Sequence, residues 1–434
     1  MILIPIHNAL MSKKNKKNKN RKTPHRNYQA RSFEVLKNKF PVIIGTISLI
    51  FIAFLSLGYS MLVGVDAVYK SKYHTLAHQF LDLEKQSGFK VTVRQYQFLD
   101  NLIDQSIIDL IMLFGKSEST IDKAIQFFNQ KTYTRAEALL ILGKIDDVLT
   151  KNNFLHKPSY LISLSLKGSE LDDDLKNILR GNIDKMLFVM PPDEIDISGF
   201  VKDHSREKFL RTFIKENNAK INYISKHLDE EYHYTDCHNT VALYLSIGEV
   251  LGLPLYSVNI PNHTFIRFYT GKNEYLDWEV TKGGGSNDDN YSRLSGISLN
   301  DPVVKNGVYF RNLDRDENFG TRYLIMGNIM LNAGKFSTKQ KSRRQYYLKA
   351  LDHFETALKF NPRFKVIHNN TGFTFEALGD AEIEDGNLEP ALRYYQNAKK
   401  SFGEAHAVFP NNKEFLKQVN ALNIKIGKYQ GKAI

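Results

Sequence analysis

Cysteine is almost absent from this chain: its 434 residues include one, Cys237. A single cysteine excludes an intramolecular disulfide and most metal sites built from thiolates. Tryptophan is equally rare, and the β-rich surroundings of Trp278 favour a place for it in the core. Three interpretations of the thiol remain, namely a buried apolar residue, a surface group or a nucleophile.

The folded part of the chain also has almost no net charge. The whole chain carries +12, but residues 1–40 hold eleven Lys and Arg against one acid, Glu34. That segment therefore has a net charge of +10, and the other 394 residues carry the remaining +2. Proteins that bind DNA or RNA usually present a basic surface on the folded domain. We therefore expect no nucleic-acid partner.

One long stretch of the chain has no charged residue at all: PVIIGTISLIFIAFLSLGYSMLVGV, residues 41–65. About 20 apolar residues in a helix are enough to cross a bilayer core, and a basic flank stays on the cytoplasmic side. The sequence thus predicts a single-pass membrane protein in which residues 1–40 form a cytoplasmic tail and residues 41–65 a transmembrane anchor. The main domains would then be periplasmic or extracellular.

Two further parts follow the predicted anchor. Residues 66–205 indicate a helical region and a connector, because FLDNLIDQSIIDLIMLFG places apolar residues at three- and four-residue steps. Residues 206–300 combine helical segments with the β-rich runs LYSVNI, HTFIRFYT and EYLDWEV. The polar run SNDDN at residues 286–290 is typical of an exposed loop. We therefore expect an α+β fold.

A repeated helical pattern occupies residues 318–434. The positions that recur are small or aromatic residues and a closing proline: Ala350, Phe354, Ala357 and Pro362, then Leu378, Gly379, Gly386 and Ala391. This pattern resembles an array of about two tetratricopeptide (TPR) repeats. The resemblance implies a surface that recruits a protein or peptide, either a partner or the substrate.

The surroundings of Cys237 favour a nucleophile over a filler residue. Thr235 or Asp236 can cap a helix that begins at Cys237, and unpaired N–H groups at a helix start favour a thiolate. The negative charge of Asp236 opposes that effect. A nucleophilic cysteine needs a base and the base needs an orienting group, and His263 opens a β-rich run downstream.

Two acids on the next strand could orient His263. Asp277 and Glu279 share one face, because side chains alternate along a strand. A hairpin centred on residue 271 would place Glu279 opposite His263, whereas Asp277 would need a centre at residue 270. Simple pairing favours Glu279, and a bulge would reverse the choice.

The segments DCHNTVALYLSIGEVLGLP, NHTFIRF and YLDWEVTKGG resemble the transglutaminase-like superfamily, whose members have a papain-like core. The resemblance covers less than a quarter of the chain. It implies a cysteine nucleophile at Cys237, a base at His263 and a third residue at Asp277 or Glu279. It also implies oxyanion donors at the Cys237 N–H and at an upstream group such as Tyr234, with no cofactor and no metal.

The resemblance predicts a cysteine-dependent hydrolase or acyltransferase that acts on protein or peptide amides through a thioester. The alternative is a non-catalytic envelope scaffold, in which the transglutaminase-like and TPR-like domains only bind proteins. Metal binding by histidines around Cys237 is disfavoured, because zinc sites prefer paired cysteines at a fixed spacing.

Overall fold

A computed structural model describes residues 69–115, 121–129, 131–156, 162, 165–166, 169–180, 187–188, 205–227 and 233–431. The described residues from Ser71 onwards belong to one compact unit. The helices in the described residues are α1 Leu76–Gln86, α2 Val93–Leu113, α3 Ile121–Asn129, α4 Arg135–Lys151, α5 Asp173–Arg180, α6 Ser205–Glu216, α7 Asn218–Lys226, α8 Cys237–Leu251, α9 Asp288–Ser295, α10 Pro302–Lys305, α11 Arg315–Phe336, α12 Gln340–Phe360, α13 Ile367–Glu384, α14 Leu388–Val408 and α15 Lys413–Gln430. The strands are β1 Phe154–His156, β2 His233–Thr235, β3 Leu255–Ile260, β4 His263–Tyr269, β5 Tyr275–Trp278, β6 Gly285–Ser286 and β7 Asn312–Leu313.

The α+β class expected from the sequence is wrong, because the protein is mostly helical. Helices make up 67% of the described residues, in which there are fifteen helices. The three β-rich runs do form strands, but these strands are short and their sheet is small. The expectation gave those runs too much weight, since the segments before and after them in the sequence form helices.

The expected membrane span is also corrected. In the part of the chain that the structure describes, no helix is both long enough and apolar enough to cross a membrane. The segment 41–65, which prompted the expectation, lies outside the described residues, as does the basic tail. The described residues therefore give no support to the transmembrane anchor, the single-pass topology, the periplasmic or extracellular location or the membrane as a partner.

The main sheet has five antiparallel strands in the order β6-β5-β4-β3-β7. The hairpin of β4 and β5 pairs Ile266 with Trp278 and Arg267 with Asp277. A separate two-stranded parallel sheet joins β1 to β2, so that Phe154 lies beside His233. The chain leaves β2 at Thr235 and enters α8 two residues later, which brings the start of α8 close to this second sheet.

Helix α8 runs through the centre of the fold. It packs against β3 and β4 on one side and against α1, α2 and α3 on the others. Eleven of its fifteen residues are buried, which fits a sequence that is apolar on nearly every face. It ends at Gly252, whose φ of 66° is a left-handed conformation that favours glycine.

The helices predicted over residues 318–434 are present as α11 to α15, and they pack as neighbouring antiparallel hairpins. Glycines allow close approach within each hairpin. A Cβ atom added at Gly327 would lie 2.5 Å from the Phe354 ring, and one at Gly372 would lie 2.9 Å from the Phe402 ring. Each glycine therefore leaves the space that a buried aromatic ring of the next helix occupies.

We expect Gly327→Ala to destabilise the protein by about 1–3 kcal/mol, because overpacking forces the Phe354 ring out of its position. Gly427→Ala is a matched control, since a Cβ atom there meets nothing within 4 Å. That helical position should be neutral or gain up to ~1 kcal/mol. Urea unfolding of both variants measures the difference. Equal midpoints would contradict the claim that Gly327 makes room for the Phe354 ring.

Candidate active site

Cys237 is the first residue of α8, as the sequence predicts. Asp236 is the N-cap, and its carboxylate accepts a 2.9 Å hydrogen bond from the backbone N–H of Asn239. Aspartate is among the preferred N-caps because its oxygen satisfies an N–H group that lacks an intrahelical partner. The thiol is partly buried and is not part of a disulfide. The cysteine thus sits at the positive end of the helix dipole.

His263 lies at the start of β4, and its Nε2 is 2.8 Å from Glu279 Oε2. Both side chains are largely removed from solvent, with 15% and 20% of their surface exposed. Glu279 follows the last residue of β5, and its N–H donates to the carbonyl of Gly284, which turns the chain back. The structure therefore brings Glu279 to His263.

The strand register explains why Glu279 reaches His263. Because Arg267 pairs with Asp277, an extended ladder would place residue 281 opposite His263. Glu279 is then the diagonal neighbour of His263 on the same face. Diagonal neighbours in a sheet are within reach of long side chains. The hairpin is centred one residue later than the simplest pairing assumed, and the length of the glutamate side chain makes up the offset.

Asp277, the other candidate acid, does not approach His263. It accepts two hydrogen bonds from Arg267, at 2.7 Å from Nε and 3.1 Å from Nη2. The side chains of this pair are 5% and 0% exposed. A buried carboxylate needs such a partner, since an uncompensated charge is costly in the interior. Asp277 therefore pairs with Arg267 across the β4–β5 hairpin, and it does not orient His263.

The Glu279 carboxylate is held from several sides. Its Oε1 accepts hydrogen bonds from the backbone N–H and the hydroxyl of Thr281, at 2.9 and 2.6 Å. The hydroxyl of Tyr291 lies 3.4 Å from Oε2. Burial raises the pKa of Glu279, but the hydrogen bonds from His263 and Thr281 outweigh it and lower the pKa to about 2. The group is thus an anion at neutral pH.

His263 also contacts Cys237. Burial lowers the pKa of His263, but hydrogen bonds to Cys237 and Glu279 and the charges of both groups raise it to about 10. Because Nε2 faces Glu279, Nδ1 is the ring nitrogen left for the thiol. The three residues therefore form a line in the order cysteine, imidazole, carboxylate.

A second polar chain runs beside this line. The hydroxyl of Thr264 donates to Asn259 Oδ1 at 2.6 Å and lies 2.8 Å from Nδ1 of His238. Since the hydroxyl has one proton, Nδ1 of His238 must be the donor in the second bond. Burial lowers the pKa of His238 to about 4, so this ring is neutral at neutral pH and differs in charge from His263.

Tyr234 does not face the thiol as a phenol donor. Its side chain is buried, and its hydroxyl donates to the carbonyl of Leu179 at 2.5 Å. Of the expected oxyanion donors, the backbone N–H of Cys237 keeps its place at the first turn of α8. Among the described residues, no group of three or more His, Cys, Asp or Glu side chains could hold a metal ion.

Sequence reasoning missed Thr281 and Tyr291, which both contact Glu279. SNDDN was expected to be an exposed loop, but Gly285 and Ser286 form β6 and Asn287 caps α9. The Asn287 side chain accepts from the N–H of Asn290 at 2.9 Å. An asparagine followed by two acidic residues is an N-cap signal, and it could have revealed this helix. No local signal connects Tyr291 with Glu279.

Comparison with known proteins gives little further information. No protein-family model matches the chain, and no curated protein is detectably similar in sequence. Among solved structures, a crystal structure of menin that reveals the binding site for the Mixed Lineage Leukemia (MLL) protein is similar at a TM-score of 0.27 and 13% identity. The similarity covers 82% of this chain and 70% of that one. At this TM-score the similarity establishes neither fold nor function.

We expect Glu279→Gln to lower the pKa of His263 by about 1–3 units, because the variant removes a negative charge in direct contact with the ring. Titration of the histidine ring nitrogens by NMR measures the change. Asp277→Asn is the comparison variant: it should lower stability by about 3–5 kcal/mol, because it breaks the buried charge pair with Arg267, which keeps its contact with Asp288. A His263 titration that follows Asp277 instead of Glu279 would contradict the assignment.

The same pair makes stability depend on pH. The pKa of His263 is about 10 in the folded protein, against an ordinary value of 6.5. Its contribution to the free energy of unfolding is therefore complete below about pH 6.5 and is lost as the pH rises towards 10. Urea unfolding at pH 7 and 9.5 should show a larger loss in the wild type than in Glu279→Gln, and parallel losses would contradict this.

Proposed function

We propose that the protein is a cysteine-dependent hydrolase or acyltransferase that acts on protein or peptide amides through a thioester on Cys237. The observation that carries the proposal is the 2.8 Å contact between His263 Nε2 and Glu279 Oε2, together with the hydrogen bond and charge of the nearby Cys237, which help to raise the pKa of His263. A nucleophile, a base and an orienting acid in this order are the requirements of covalent acyl transfer.

Each group has one task in the proposed reaction. In the reactive state His263 already holds the thiol proton as an imidazolium, which fits its pKa of about 10, and the sulfur of Cys237 forms a bond to the amide carbon. The oxygen of the tetrahedral intermediate takes a negative charge, which the backbone N–H of Cys237 stabilises at the start of α8. The C–N bond then breaks, and the imidazolium gives its proton to the leaving amine. The thioester remains on the enzyme.

The second half of the reaction restores the thiol. Water or another amine attacks the thioester carbon while His263 accepts its proton, and the C–S bond breaks. Glu279 stays ionised throughout, because its pKa of about 2 lies far below neutral pH. Its role is to hold the ring orientation and to stabilise the imidazolium, as the acid does in other triads of this type.

The order of cysteine at a helix start, histidine on a strand and acid after the next strand supports a relation to the transglutaminase-like superfamily. This relation is proposed from the active-site residues alone. The proposed relation covers Cys237, His263 and Glu279. It does not include Asp277, because the Asp277 carboxylate is hydrogen-bonded to Arg267.

We expect Cys237 to react with iodoacetamide at pH 7, and the rate to fall about tenfold or more in His263→Ala. General-base assistance contributes about 10²–10⁴-fold in enzymes, and the rate of thiol alkylation depends on part of that assistance. Mass spectrometry of the labelled peptide measures the rate. His238→Ala is the matched control, because His238 bonds to Thr264 instead of the thiol. An equal effect of both variants would contradict the Cys–His pair.

We further expect an activated peptide ester to leave an acyl group on Cys237, visible as a mass increase that hydroxylamine removes. Cys237→Ala should lose the adduct completely. Two results together would favour a non-catalytic binding role: a wild-type thiol that is reactive but never forms this adduct, and a Cys237→Ala variant whose cellular effect is unchanged.

A further inference from the structure

Tyr291 is the buried residue of α9, a short and otherwise polar helix beside the candidate active site. Its side chain is 2% exposed, whereas the remaining residues of α9 are partly or fully exposed. A short helix rarely buries a phenol unless the hydroxyl has a partner, because a buried polar group without one is costly. The hydroxyl of Tyr291 has hydrogen-bond contacts with Ser286 and Glu279, and the contact with Glu279 links the helix to the candidate site.

The ring of Tyr291 packs beside His263, the proposed catalytic base. It stacks on Phe265, with centroids 3.7 Å apart and an interplanar angle of 7°. Phe265 lies on the same face of β4 as His263, two residues along the strand. The Tyr291 ring is also 6.0 Å from the imidazole of His263, at an angle of 36°. The phenol ring thus lies near the imidazole of His263 and is tilted relative to its plane.

The hydroxyl of Tyr291 approaches the oxygen that binds His263. It lies 3.4 Å from Glu279 Oε2, and His263 Nε2 is 2.8 Å from the same atom. The other oxygen is held by Thr281. Tyr291 and Thr281 therefore fix the plane and direction of the carboxylate, while His263 takes the remaining approach to Oε2.

Helix α9 is itself anchored to the strands that carry the site. The Asp288 carboxylate contacts Arg267, and its Oδ2 accepts from the hydroxyl of Tyr275 at 2.7 Å. Arg267 lies on β4 and also binds Asp277 on β5. One guanidinium thus fixes both the hairpin and the start of the helix that carries Tyr291. The phenol is consequently held in one position relative to Glu279.

We propose that Tyr291 is a positioning residue that orients Glu279, and through it the imidazole of His263, towards Cys237. The proposal rests on the proposed function, since it assigns a role within the same line of residues. Tyr291 does not touch the thiol or its acyl group. It acts by restricting the carboxylate and by excluding water from Oε2.

The test uses Tyr291→Phe in the full chain. This variant keeps the stack on Phe265 and removes the hydroxyl alone. Tyr395→Phe is the matched control, because that buried phenol also donates to a carboxylate, Asp380 at 2.6 Å, and belongs to α14. Two readouts are compared: the rate of Cys237 alkylation at pH 7 and the NMR titration of the His263 ring.

For Tyr291→Phe we expect a two- to tenfold slower alkylation, the range that loss of one hydrogen bond produces. We also expect the pKa of His263 to fall by about 0.5 unit, because a freer carboxylate holds the imidazolium less well. Tyr395→Phe should leave both readouts unchanged. A pH effect of this kind separates positioning of the base from a loss of stability, which would leave the titration in place.

Any other pattern overturns the proposal. An unchanged His263 titration in Tyr291→Phe would do so whatever the rate, and so would equal effects in Tyr395→Phe. A failure of the proposed function can be told apart from a failure of this proposal, because it shows in a different comparison. In that case the His263 ring would titrate in Cys237→Ala as it does in the wild type. The effect of Tyr291 on the His263–Glu279 pair can be measured in either case.

Discussion

The buried ion pair of Arg267 and Asp277 is the contact on which the geometry of the site depends. Both groups are almost fully removed from water, so any register of β4 and β5 that separates them breaks a buried charge pair. That penalty is several kcal/mol, which is large against the total stability of a domain. The pair therefore selects the register, and the register makes Glu279 the diagonal neighbour of His263. Arg267 also reaches Asp288, which ties α9 to the same strands.

Helix α8 supplies the other half of the site. Its apolar surface packs on the sheet and on the N-terminal helices, which fixes the position of its first residue beside the start of β4. Arg322 of α11 is fully buried and donates to Asn239 Oδ1 at 2.8 Å. Since Asn239 lies in the first turn of α8, a helix of the C-terminal region supports the thiol. The repeated helices and the candidate site therefore share one structural frame.

Much of the local structure followed from the sequence. The cap at Asp236, the helix that begins at Cys237 and the strand that begins at His263 were predicted from short-range signals. The choice between Glu279 and Asp277 was only partly predictable, because it depends on the centre of the hairpin and on side-chain reach. The fold class was misjudged for a related reason: three short strands dominated the interpretation of a chain whose remaining segments are helical.

The sequence by itself determined which residues begin helices and strands, because caps and alternation act over a few neighbouring residues. It also determined that Cys237 and His263 occupy element starts, where their side chains can meet. Only the tertiary structure decided that Arg267 takes Asp277 and leaves Glu279 for His263. It also placed Tyr291 against Glu279. These contacts join residues across a strand register and a helix docking, and both depend on burial of the whole assembly instead of on local propensity.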